Sequence, residues 1–166
     1  MKNFIFFTLL TFFIFGCSSK SVEIDKAQVT KEASEFISSQ FDFFSNSSLD
    51  EAKMTFSEDA VLIGTDAAEY FTGWSEIEPS VKGQLVIKDA VFASRNLNVF
   101  LSDDGSMASY TQIIDFTFSI DGEPGEIKNV RNSGVIRKTN SVWKLIQIHW
   151  SVGLEGQAVE YEIEEQ

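Results

Sequence analysis

One histidine, one cysteine and a set of uncharged amides and hydroxyls are the residues of this 166-residue chain with chemistry to offer. His149 is the candidate acid or base, because imidazole alone among side chains titrates unaided near neutral pH. Arg95, Tyr110, Gln112, Asn132, Gln147 and Ser151 are polar groups set into otherwise apolar, alternating segments. Buried without partners such groups cost ~1–3 kcal/mol each, so they bond one another, trapped water or a ligand. Arg95 would favour an acidic group on that ligand. Asp66 and Glu69 follow an early strand and are second-rank carboxylates for assisting His149, while Trp74 and Tyr70 are candidate mouth aromatics. Asp115 has the right chemistry but the wrong alternation to join the others.

Other chemistries are excluded. One Cys and one His cannot furnish a Cys/His metal site or an internal disulfide. No P-loop, dinucleotide fingerprint or nucleophile elbow is present. Asp103-Asp104-Gly105 opens like a calcium loop but lacks the downstream acidic ligands, and reads as a hairpin turn. Neither metal nor cofactor is expected. The net charge of -12 argues against nucleic acid, whose phosphates demand a basic face.

Cys17 has a different use. Lys2 precedes an apolar run from Phe4 to Gly16 that holds six of the sixteen Phe. As a helix this run spans ~20 Å, short of the ~30 Å hydrocarbon core, so it reads as a secretory signal and not as a membrane span. Ile14-Phe15-Gly16-Cys17 resembles the lipobox of bacterial lipoproteins. The resemblance implies that Cys17 becomes the first residue of the mature chain and carries acyl chains, palmitate among them, that anchor it in the bacterial cell envelope. Residues 1–16 contain one Lys and no acid, so the mature body is more acidic still, at -13. Anionic headgroups repel such a body, and membrane contact is expected through the lipid alone.

The elements that position these groups follow from patterning. Residues 17–25 are a tether, and Asp25 caps a helix whose apolar positions Val29, Ala33, Phe36, Ile37, Phe41 and Phe44 keep 3.6 spacing. Ser48 with Glu51, and Ser75 with Glu78, form capping boxes that open two further helices on either side of a strand at 60–65. From Val86 onward four alternating segments, 86–101, 106–120, 126–139 and 142–152, are divided by turns at 102–105, 121–125 and 140–141. They predict an antiparallel meander, and the whole an α+β fold. Uninterrupted alternation puts Val91, Ala93 and Arg95 on one covered face with Tyr110, Gln112 and Ile114. Val130, Asn132, Gly134, Gln147, His149 and Ser151 share that face, with a gap at Gly134. Arg131 then points outward beside Trp150; a three-residue turn after Lys138 would bring it inside. Glu155 to Gln166, with five acids and no base, reads as a frayed, solvated tail.

FSEDAVLIGTDAAEYFTGW at 56–74, the helix and meander after it, and WKLIQIHWS at 143–151 resemble the SnoaL-like branch of the nuclear transport factor 2-like superfamily over residues 26–154. The resemblance implies a cone-like curved antiparallel sheet wrapped on N-terminal helices, often dimerised through its outer face. Such folds host isomerases, dehydratases, binding modules and assembly domains, so fold does not name function. The leading expectation is a membrane-tethered lipoprotein whose cone binds a small, partly apolar molecule, a homodimer that does not bind nucleic acid. One alternative is an isomerase, dehydratase or hydrolase using His149, and another is a non-catalytic dimerisation scaffold.

Overall fold

The Asp25 carboxylate accepts a hydrogen bond from the Gln28 amide at 3.1 Å and opens α1, Lys26–Ser39, which buries Ala33 and Ile37. The computed structural model describes residues 24–153, so the signal, Cys17 and the acidic tail lie outside the described residues. The expected single helix to Phe44 breaks at Gln40, and a short α2, Asp42–Ser45, turns Phe43 and Phe44 into the core. Ser48 caps α3, Leu49–Thr55, through the Glu51 amide at 3.2 Å. The second capping box is not used. Gly73, at φ 79°, precedes α4, Trp74–Gln84, and Glu76 reaches back to the Thr72 amide at 2.7 Å. Among the described residues no helix is long and apolar enough to cross a membrane.

The strands are β1 (Phe56–Ile63), β2 (Tyr70–Thr72), β3 (Lys88–Leu101), β4 (Met107–Ile120), β5 (Glu123–Thr139) and β6 (Val142–Ser151). They form one curved sheet in the order β2-β1-β6-β5-β4-β3. The predicted meander is present, but the sheet is mixed, because β1 runs parallel to β6. The Asn140-Ser141 turn pairs Thr139 with Val142 as expected. The second turn is two residues, Asp121-Gly122, both at positive φ, so Ile120 pairs with Glu123 and not with Glu126. At the first hairpin Leu101 pairs with Ala108 in place of Ser106.

Bulges decide which side chains share a face, since one extra residue sends every later side chain to the opposite side. In β3, Arg95 pairs with Ile113 and Asn98 with Thr111, leaving Asn96-Leu97 opposite Gln112 alone. In β5, Lys128-Asn129 oppose Asp115. In β6, Ile136 pairs with Leu145 and Val135 with Gln147, which leaves Ile146 as the extra residue. Asn96 and Asn129 hold φ 55° and 58°, left-handed values that Asn tolerates better than other non-glycine residues.

Candidate functional site

The inner face of the sheet carries Ala90, Phe92 and Ser94 on β3, then, past the bulge, Leu97 and Val99. It continues as even-numbered residues from Ala108 to Phe118 on β4, Val130 to Ile136 on β5, and Trp143, Leu145, Ile148 and Trp150 on β6. Two of the expected pocket residues meet there. Gln112 and Asn132 are paired neighbours at 3% and 1% exposure, with Gln112 Nε2 donating to Asn132 Oδ1 at 2.8 Å. Asn132 Nδ2 donates onward to the His149 carbonyl at 3.2 Å, and Ser94 Oγ donates to Gln112 Oε1 from the exposed edge. This relay runs across four strands and satisfies the buried amides.

Tyr110 is inside as expected but is occupied by the fold. Its hydroxyl donates to Gln40 Oε1 at 2.7 Å, and Gln40 Nε2 donates to the Ile37 carbonyl at 2.8 Å. Burial pushes the phenol far above its usual range, so it remains a neutral donor. The expected gap at Gly134 is absent. Gly134 faces Tyr110, and a Cβ built there would lie 2.7 Å from the Tyr110 ring and hydroxyl and 2.6 Å from the Gln147 carbonyl oxygen.

The remaining candidates stand elsewhere. Past the Ile146 bulge, Gln147, His149 and Ser151 pair with Val135, Ser133 and Arg131 on the outer face, while Ile148 and Trp150 turn inward. His149 therefore lies beside Ile63 on the outside of the sheet, and only its backbone carbonyl touches the inner relay. Arg131 faces outward, the orientation of the two-residue turn, whereas Trp150 is inside against Phe41 at 5.0 Å. Arg95 and Ala93 are also outside, displaced by the Asn96 bulge. Arg95 bonds the Asn129 side chain and lies 3.5 Å from Asp115, whose carboxylate accepts the Asn129 amide at 2.9 Å. That amide bond, helped by Arg95, holds the Asp115 carboxyl below its ordinary value; its role is to cap the β5 bulge.

Asp66 and Glu69 close their own loop. Glu69 Oε2 accepts the Asp66 amide at 3.1 Å, Asp66 Oδ1 accepts the Ala68 amide at 2.8 Å, and the Glu69 side chain folds over Gly64. Trp74 is a core residue at 5% exposure against Phe56, and Tyr70, 62% exposed, is on the outer face. Among the described residues no cluster of three His, Cys, Asp or Glu is placed to hold a metal.

Sequence reading missed a ladder of aromatic rings. Phe41, Phe92, Phe116 and Phe118 stack in succession at centroid separations of 4.6, 4.4 and 4.8 Å, with Trp150 beside Phe41. Phe41 is buried, and the ladder becomes half-exposed from Phe92 to Phe118, so it forms an apolar slope leaving the core beside the relay. The Phe116 and Phe118 alternation was legible, but Phe92 was hidden by the parity error on β3.

A family profile described as SnoaL-like domain matches residues 34–155. The chain belongs to the SnoaL-like family. Solved structures agree on the fold of this SnoaL-like protein. A nuclear transport factor 2-like superfamily protein from Salmonella enterica superposes with TM-score 0.67 at 18% identity, covering 81% of this chain and 99% of that one. A candidate scytalone dehydratase from Novosphingobium aromaticivorans gives 0.69 at 11% identity, covering 83% and 91%. A candidate calcium/calmodulin-dependent protein kinase II association domain from Xanthomonas campestris gives 0.68 at 20% identity, covering 75% and 88%. No curated protein matches the chain in sequence.

Proposed function

We propose that this SnoaL-like protein is a cell-envelope lipoprotein, tethered through acylated Cys17, whose cone mouth binds a flat, apolar small molecule. The observation that carries this reading is the half-exposed ladder Phe92–Phe116–Phe118, which rises from a buried relay of uncharged amides. Aromatic faces favour a flat apolar ligand, each stacked pair contributing ~0.5–1.5 kcal/mol beyond area burial. Ser94, exposed at the rim with its hydroxyl on Gln112, supplies a polar contact at the edge of the slope. Acid–base catalysis in the cone is the weaker reading, because the imidazole of His149 is on the far side of the sheet.

Titration with an uncharged naphthylamine probe, read by energy transfer from the tryptophans, tests the site. Phe116→Ala is expected to weaken probe binding about ten-fold, worth ~1.4 kcal/mol, and His149→Ala to change it less than about two-fold. The reverse ranking sinks the binding reading. Native mass spectrometry of the same protein reports any co-purified small molecule. The anchor is tested separately: Cys17→Ser is expected to move the protein from the membrane fraction to the soluble fraction, and full retention there rejects lipidation.

A homodimer through the outer face is part of the proposal. Two complete rows across the sheet, Thr72-Val61-Gln147-Val135-Ser109-Phe100 and Tyr70-Ile63-His149-Ser133-Thr111-Asn98, contain no acid, lysine or arginine. In a chain of net charge -12 such a surface avoids the like-charge repulsion that would oppose self-association. The oligomeric state appears in the same native mass spectrum.

A further inference from the structure

The aromatic ladder ends at Phe118. Phe116 stacks on one side of this ring, and among the described residues no ring stacks on the other. The cross-strand partner of Phe118 is Gly125, where a Cβ would lie 2.5 Å from the ring. The phenyl group therefore rests on bare β5 backbone and stays half-exposed. An open cleft of about 660 Å³ runs past it, lined also by Asp89, Ser119, Pro124 and Glu126.

Asp89 is set into this cleft by the fold. Lys88 pairs with Ser119 and Val91 with Thr117, which leaves Asp89 and Ala90 together opposite Phe118 as a bulge. Asp89 takes the left-handed φ of 52° there, a conformation that Asp and Asn tolerate better than other non-glycine residues. The nearby cations are engaged elsewhere: Lys88 Nζ donates to Ser47 Oγ at 3.4 Å, and Lys128 pairs with Glu126 at 3.1 Å. Among the described residues Asp89 itself makes no ion pair.

An uncovered phenyl face and an exposed carboxylate share one preference. The π face carries the negative lobe of the ring quadrupole, so both groups attract a cation and both repel an anion. A neutral ring can stack on Phe118 but gains nothing from Asp89. The chain's net charge of -12 works in the same direction at longer range.

We infer that the molecule held on the slope is a flat aromatic cation, whose ring continues the ladder on Phe118 and whose positive charge faces the Asp89 carboxylate. The inference rests on the ligand-binding reading above and names the chemical class of that ligand.

Parallel titrations of the intact protein, corrected for a detergent blank, test it with two probes of one ring system: dimethylaminonaphthalene, uncharged at neutral pH, and trimethylnaphthylammonium. The parent is expected to bind the cation about ten-fold more tightly than the uncharged amine. Asp89→Asn, which keeps a residue suited to the bulge, is expected to weaken the cation at least about five-fold and the amine less than about two-fold. Glu58→Gln removes an equal charge on β1, which β6 and β5 separate from the cleft. That variant is expected to leave both affinities within about two-fold of the parent. Equal binding of the two probes by the parent, or an equal loss in Asp89→Asn and Glu58→Gln, overturns the proposal and leaves the binding reading standing. Failure of both probes to bind overturns both.

Discussion

Gly134→Ala is expected to destabilise the domain by about 3 kcal/mol, a large cost for one methyl group. The backbone conformation is not the reason, since Gly134 sits in an ordinary strand. The cost is steric: the new Cβ would lie 2.6 Å from the Gln147 carbonyl and 2.7 Å from the Tyr110 ring. Neither neighbour can give way cheaply. Gln147 belongs to a strand held between β1 and β5, and Tyr110 is fixed through Gln40 to the end of α1. Urea unfolding measures the loss, and a change below about 0.5 kcal/mol would show that Tyr110 is free to move and that the cone has slack.

Asn132→Leu is expected to cost about 3 kcal/mol by a different route, because the shape is nearly kept and the hydrogen bonds are lost. Gln112 Nε2 loses its acceptor, and the His149 carbonyl loses its side-chain donor. Each buried group left without a partner costs ~1–3 kcal/mol. Asn132→Asp extends the test to pH. An ionised carboxylate at this 1% exposed position would face the His149 carbonyl with no proton to offer, and burial raises its folded-state pKa above the unfolded value. The variant is therefore expected to be weakest near neutral pH and to regain stability relative to the parent as acidification protonates the group. A pH-independent difference between variant and parent would place solvent at Asn132 and break the account of a dry relay.

Much of this architecture was readable before any coordinates. The alternation from Ala108 to Phe118, the Asp25 and Ser48 caps and the Asn140-Ser141 turn are local, and each residue contributes to the decision. The inner placement of Tyr110 and Gln112 follows from such alternation. What failed was parity across bulges, which depends on pairing between strands and leaves only faint local marks. Asn96 and Asn129, turn-prone residues within β-rich runs, are such marks. Ile146 is not, because an extra apolar residue in Leu145-Ile146 reads equally well on either face. That one residue moved Gln147, His149 and Ser151 outside. On β5 two errors cancelled: the second turn is shorter than its residues suggested, and the Asn129 bulge restores the parity that the shorter turn removes.

The packing of Ile24 against Gly105 marks where the chain enters the domain. A Cβ on Gly105 would meet Ile24 at 2.8 Å, and Lys26 reaches Asp103 at 3.1 Å, so the chain enters the fold at the β3–β4 hairpin. Asp104, its carboxyl lowered to about 2 by the Ser102 hydroxyl and the Ser106 amide and hydroxyl, keeps that hairpin closed. Phe118 lies eleven positions beyond Met107 along β4, ~36 Å of strand away. With Cys17 acylated as proposed, the tether would join the domain at the hairpin, at the end of β4 opposite Phe118 and the aromatic slope. A ligand bound as proposed would then sit at the end of the sheet farthest along β4 from the point where the tether joins.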